Sequence, residues 1–235
     1  MKNTLVCKSC NKENPFYGLT CNNCKAYLRE RVVNIDLWKI LALLIDSPAS
    51  AFRLIIQSEH KNFISFLTLL VSGKFFITSM FIALLSLREE ATLGHFTRNY
   101  LILLIALVLV LLILSYLITL IFKKYKLSTR FKDNFSIIIY SFIPYIFGFA
   151  ILFPVELILF GEYLFSVNPS PFAVKETLAY TLLAFEILII LWSYFLSFIA
   201  LFAQSRNIIF SLAASFIINF LVYFSLYISS VALFS

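Results

Sequence analysis

From Phe63 to the C-terminus the chain runs in long apolar stretches broken by short polar ones, whereas residues 1–62 are mixed in character. A helix that crosses about 30 Å of hydrocarbon needs about 20 mostly apolar residues. Five segments meet that length: Phe63–Leu87, Asn99–Phe122, Phe135–Phe160, Thr177–Ala203 and Ile208–Phe234. The second holds the unbroken run LILLIALVLVLLILSYLITLIF. The third carries Pro144 and Pro154, and a proline inside a helix frees a carbonyl and bends the chain.

The stretch Ile35–Ile56 is apolar too, but it contains Asp36, Lys39, Asp46, Pro48 and Arg53. A central Asp or Arg costs about 2.5–3.5 kcal/mol on insertion. Ser47-Pro48 reads as an N-cap followed by proline at the first helical position. The pattern predicts two short interfacial helices, Asp36–Ile45 and Pro48–Ser58. Trp38 and Phe52 are expected to dip into lipid, with Lys39 and Arg53 facing head groups.

Composition agrees with this division. Of 235 residues 61% are apolar and 13% charged, against about half and a quarter in soluble domains. The expected fold class is an all-α integral membrane protein. It has three parts: a head at 1–31, interfacial helices at 32–62 and a five-helix transmembrane bundle at 63–235. No cleavable signal is expected, because the first sixty residues are polar.

The net charge of +7 follows the loops. With five spans and the N-terminus inside, the inner segments hold fifteen Lys and Arg and the outer loops three. A sixth crossing at Ile35–Ile56 would put Lys123, Lys124, Lys126, Arg130 and Lys132 outside. The positive-inside tendency therefore predicts a cytoplasmic N-terminus and an external C-terminus. Charge placed by topology needs no nucleic-acid partner. Tyr100, Tyr125 and Tyr163 are expected as interface anchors.

The four cysteines are Cys7, Cys10, Cys21 and Cys24, spaced CxxC-x10-CxxC. Two such pairs present four thiolates to one tetrahedral ion, so a zinc ribbon with one structural Zn2+ is expected. Gly18, Asn11, Asn22 and Asn23 suit its turns. Disulfides are disfavoured on a reducing side, and a redox CxxC needs a βαβ context. Four thiolates leave no open position for water, so the metal folds the head rather than performing chemistry.

Ionisable groups inside spans are costly and often functional. Lys74 and Glu186 fall about 13–17 Å deep, near mid-membrane, and form a candidate charge pair. The alternative is that each snorkels to an interface or faces a neighbouring backbone. Glu156 and Arg206 lie near span ends, where a charged side chain reaches the interface. His60 and His95 are isolated in polar stretches and receive no ligand role. HExxH, GxSxG, P-loop and paired-aspartate motifs are absent from the sequence, so no enzyme activity is expected.

The stretch LIDSPASAFRLIIQSEHKNFISFLTLL, with Pro48 and Phe52, and the stretch IIIYSFIPYIFGF, with Tyr140, Ser141 and Pro144, resemble the Yip (Ypt-interacting protein) domain family. The resemblance covers about Asp36 to Phe234. It implies a cytoplasmic N-terminal region, five spans and a short far-side C-terminus. It also implies a non-enzymatic role, which in eukaryotic relatives is vesicle trafficking, small-GTPase binding and the shaping of ER and Golgi membranes. The cysteine head departs from eukaryotic members and suggests a prokaryotic relative. A bacterial group of zinc-ribbon membrane proteins shares the head and the proline-bearing stretch and stands as an alternative.

The function expected is a membrane scaffold or adaptor whose ribbon recruits a cytoplasmic protein while the spans contact the bilayer. A small transporter or channel using Lys74 and Glu186 is the alternative. Homo-oligomerisation is left open, since no GxxxG seam marks a face.

Overall fold

The computed structural model describes residues 3–87 and 96–234. Residues 88–95, with His95, lie outside the described residues, as do the side chains of residues 85–87. The chain begins with two short antiparallel strands, β1 (Thr4–Val6) and β2 (Glu13–Pro15), paired with Val6 opposite Glu13. An isolated bridge joins Thr20 to Tyr27. Among the described residues the elements after the head are helices: α1 (Leu37–Asp46), α2 (Pro48–Gln57), α3 (Ile64–Leu87), α4 (Phe96–Lys124), α5 (Phe131–Ser141), α6 (Ile143–Phe147), α7 (Phe153–Phe160), α8 (Pro171–Val174), α9 (Glu176–Ser205) and α10 (Ile208–Phe234).

Among the described residues five helical segments are long and apolar enough to cross a membrane: Ile64–Leu84, Phe96–Lys124, Ile143–Phe165, Glu176–Ser205 and Ile208–Phe234. The protein is thus a multi-pass integral membrane protein with a helical bundle and a clustered cysteine head.

The chain forms two compact units. The first comprises residues 1–65, Leu111–Ser141 and Phe195–Ile217. Here α1 and α2 pack on each other, and α2 packs on α5. Asp36 caps α1 by accepting the Lys39 backbone N–H at 3.1 Å, and Pro48 occupies the first turn of α2. Trp38 is 80% exposed, while Phe52, Ile55 and Ile56 are fully buried. Phe52 therefore does not dip into lipid as the pattern suggested. It lies on the face of α2 that carries Ala51, Ile55 and Ile56, and that face is the packed one.

The second unit comprises Phe66–Val110, Phe142–Tyr194 and Ile218–Ser235. Phe75 is central to its core. Its ring meets Tyr145 edge-on at 4.7 Å and Phe142 at 5.7 Å. The Tyr145 and Tyr223 hydroxyls hydrogen-bond to each other, and Ser230 donates to the Ser79 carbonyl at 2.7 Å.

The third apolar segment differs from the single helix Phe135–Phe160 that the sequence suggests. Residues 131–141 form the separate helix α5, with Asp133, Asn134 and Ser136 buried. The span starts after a break at Phe142, and Pro144 sits in the first turn of α6. A π-helical turn, Gly148–Leu152, follows, and Pro154 then sits in the first turn of α7. Pro154 has no N–H to return to the preceding turn, and the widened turn stands where that bond is lost. A 3-10 turn, Gly161–Phe165, extends the span beyond Phe160.

Candidate metal centre and buried charges

The head is built from two near-equivalent knuckles. In the first, the Cys7 N–H donates to the Lys12 carbonyl at 3.0 Å and the Asn11 N–H donates to the Cys7 carbonyl at 2.9 Å. In the second, Cys21 donates to Ala26 at 2.9 Å and Lys25 to Cys21 at 3.1 Å. Asn11 and Lys25 hold equivalent places and both have positive φ, 54° and 60°. Asparagine tolerates that conformation, which is why it serves in the first turn. Gly18 makes the turn between the knuckles, where a Cβ would lie 3.0 Å from the Pro15 carbonyl oxygen.

This backbone brings all four sulfurs together. Cys7 Sγ lies 3.5 Å from Cys24 Sγ, Cys10 Sγ lies 3.6 Å from Cys21 Sγ, and all four fall within 4.8 Å of one another. A tetrahedron with Zn–S bonds of about 2.3 Å has edges of about 3.8 Å. The four thiols fit such an ion, and the cluster is one that can hold a metal.

Hydrogen bonds to sulfur favour the thiolate form. The Cys21 thiol is lowered to about 6, first by the Cys24 backbone N–H. Cys7 is lowered chiefly by the Ser9 backbone N–H. Cys24 is raised to about 12: the Ala26 backbone N–H lowers it, but the neighbouring Cys10 and Cys7 sulfurs outweigh that. Four crowded sulfurs resist carrying four charges unless a cation shares them.

Asn14 was not among the residues singled out from the sequence. Its amide donates to the Lys12 carbonyl at 2.8 Å and to Cys21 Sγ at 3.5 Å, and its Oδ1 accepts the Asn22 N–H at 2.9 Å. It ties one knuckle to the other.

Asn3, Arg29 and Tyr17 help to fasten the head within its unit. Asn3 donates to the Ala203 and Gln204 carbonyls at 3.3 and 2.8 Å, at the C-terminal end of α9. Arg29 donates to the Tyr17, Gly18 and Gln57 carbonyls at 2.9, 3.1 and 2.7 Å. The Arg130 guanidinium lies 4.4 Å from the Tyr17 ring centroid, a cation–π contact.

Around the C-terminal end of α2 these cations converge. Arg130 donates to the Ile56 carbonyl at 3.1 Å and Arg29 to Gln57. Lys61 donates to the Ile55 carbonyl and to Ser58 O at 3.0 Å. A helix C-terminus presents unpaired carbonyls and the negative end of its dipole, and positive charge satisfies both. Asp133, fully buried, neutralises the cluster: Lys61 Nζ is 3.1 Å away and Arg130 Nε 2.6 Å. Burial pushes the Lys61 ammonium down to about 8, against the opposing pull of Asp133. Asn134 extends the network through Thr119 at 2.7 Å and Gln204 at 3.1 Å. Outside it, Arg31 and Glu59 form an exposed two-pronged pair, with contacts of 3.0 and 3.1 Å. Arg31 first of all holds the Glu59 carboxyl below the ordinary carboxylate range.

In the second unit Lys74 and Glu186 form an ion pair. Glu156 lines the same cavity. The sequence reading puts Glu156 four residues from a span end, free to reach the interface. Instead it is 5% exposed, nine residues before Phe165. The 3-10 turn lengthens the span and carries Glu156 inward. Lys74 stands ten residues from Leu84, and Glu186 ten from Glu176. All three charges therefore sit about 13–15 Å along their helices. Gly148 makes room for Ile189 and Lys74, because a Cβ there would lie 2.8 Å from Ile189 Cδ1 and 3.3 Å from Lys74 Cε. Arg206 stays exposed at the turn after α9, with φ of 52°. His60 is exposed as well.

A multi-pass membrane bundle carrying a four-cysteine head is the class that these features define. The Yip1 domain family model matches residues 42–230, and the chain belongs to that family. The match leaves the cysteine head outside it. No curated protein and no solved structure matches the chain.

Proposed function

We propose that the protein is a non-enzymatic membrane scaffold, with a role in membrane organisation or trafficking, whose zinc-bound head recruits a cytoplasmic protein partner. The observation that carries the reading is the four-thiolate cluster. Its sulfurs fill a tetrahedron and leave no position for water, so the metal shapes a surface rather than activating a substrate. Family membership supports a role in the bilayer itself. Val6 and Tyr27 supply the surface: both are apolar, and Tyr27 is 78% exposed.

The distribution of Lys and Arg supports a cytoplasmic N-terminus and a far-side C-terminus, and the cysteine head, which departs from eukaryotic members, supports a bacterial cytoplasmic membrane. Cross-linking and mass spectrometry in the native membrane test the scaffold reading. Tyr27→Glu and Val6→Glu are expected to lose the partner of the wild-type chain while keeping one zinc. An unchanged partner set overturns recruitment by this face. One observation favours a transport role as the second reading: Lys74 and Glu186 pair on the wall of a cavity. Flux into liposomes that Glu186→Gln abolishes is its test.

A further inference from the structure

We propose that the cavity holding Lys74, Glu156 and Glu186 is a binding site for an ammonium group carried on a small apolar body. The inference concerns binding alone and stands whether or not the site conducts. The cavity measures about 260 Å³ and lies within the second unit. Phe81, Phe172 and Leu182 are among its apolar walls. An apolar pocket with a few converging polar groups is the usual form of a small-ligand site, and this one lies just below the common size range of about 300–1,000 Å³.

The charge inventory selects the ligand. The wall carries one lysine and two carboxylates. Lys74 is engaged by Glu186. Glu156 is left over: its Oε2 is buried and has no hydrogen-bond partner among the described residues. A buried carboxylate without a donor is costly, and a partner that brings positive charge and N–H groups removes the cost.

An anionic ligand would face an excess of negative charge. A neutral apolar one would leave Oε2 unsatisfied. A divalent ion needs six or more oxygens, or a tetrahedral set, and the remaining walls are mostly hydrocarbon. An ammonium on an alkyl chain or ring meets both demands, with its N–H groups at Glu156 and its body against Phe81, Phe172 and Leu182. Two sources offer that chemistry: a free hydrophobic amine and the head of an aminophospholipid.

The test uses the full chain in detergent, with octylamine as probe and octanol as its uncharged match, read by native mass spectrometry. Wild type is expected to bind one octylamine. Glu156→Gln is expected to weaken that binding at least tenfold without changing octanol uptake. Leu182→Trp fills the cavity without touching a carboxylate, and is expected to lose octylamine while its thermal unfolding stays near wild type. Equal octylamine binding by wild type and Glu156→Gln, or retained binding in Leu182→Trp, overturns the proposal. Nanodiscs with and without phosphatidylethanolamine separate the sources. Competition by the lipid assigns the site to a headgroup, its absence assigns it to a free amine, and either outcome upholds the ammonium site.

Discussion

The Lys61 ammonium meets the Asp133 carboxylate at 3.1 Å, where both side chains are almost wholly buried. Asp133 also takes Arg130, so one carboxylate pairs with two of the cations that cap α2. Removing one partner of a buried pair leaves the other uncompensated. Asp133→Asn is expected to cost about 3 kcal/mol in thermal or denaturant unfolding in detergent. Asp133→Asn combined with Lys61→Met is expected to recover part of that loss.

The same lysine sets a pH dependence. Burial, the leading cause, holds its folded value at about 8, below the ordinary 10.5. Between those values the unfolded chain binds more protons than the folded one, so stability contributed by Lys61 rises with pH through that window. Below it the penalty is constant. The melting-temperature gap between wild type and Lys61→Met is expected to shift in favour of wild type from pH 8 to 10.5.

Metal removal separates the head from the membrane helices. Chelation, or Cys7→Ser, is expected to reduce bound zinc from one per chain to none by elemental analysis. The antiparallel pairing of Thr4–Val6 with Glu13–Pro15 depends on the knuckle it encloses, so hydrogen exchange is expected to rise there first. Asn14→Ala keeps all four thiols and is expected to weaken zinc binding about 10–100-fold, as loss of an outer-shell partner does.

Lys74 and Glu186 provide a fourth test. A double-mutant cycle with Lys74→Met and Glu186→Gln is expected to show a coupling above about 1 kcal/mol in denaturant unfolding. Additive single effects would show that the two groups act separately.

The long spans were legible because segment-averaged apolarity needs no knowledge of neighbours. The cysteine spacing was legible because two short knuckles are local structures. Asp133 and Asn134 were not, because a polar stretch after Lys132 looks like loop. Only the placement of Lys61 and Gln204, far away in sequence, explains why both are buried. Glu156 was misplaced for a related reason. Its depth depends on Gly161–Phe165 continuing the helix as a 3-10 turn, which hydropathy at a glycine does not announce. Phe52 was assigned to lipid because an amphipathic face does not say what covers it.

The π turn at Gly148–Leu152 sets the angular phase of everything after it. An ordinary helix advances about 100° per residue, and a π turn accommodates one residue more than the regular ladder would. Winding the same five residues as ordinary α-helix would swing Glu156 by about a quarter-turn around the helix axis, whereas deleting one of them would leave it near its present face. The turn is thus a vernier: it costs regularity in the backbone, and in return it sets the direction in which one carboxylate faces the cavity that Lys74 and Glu186 share.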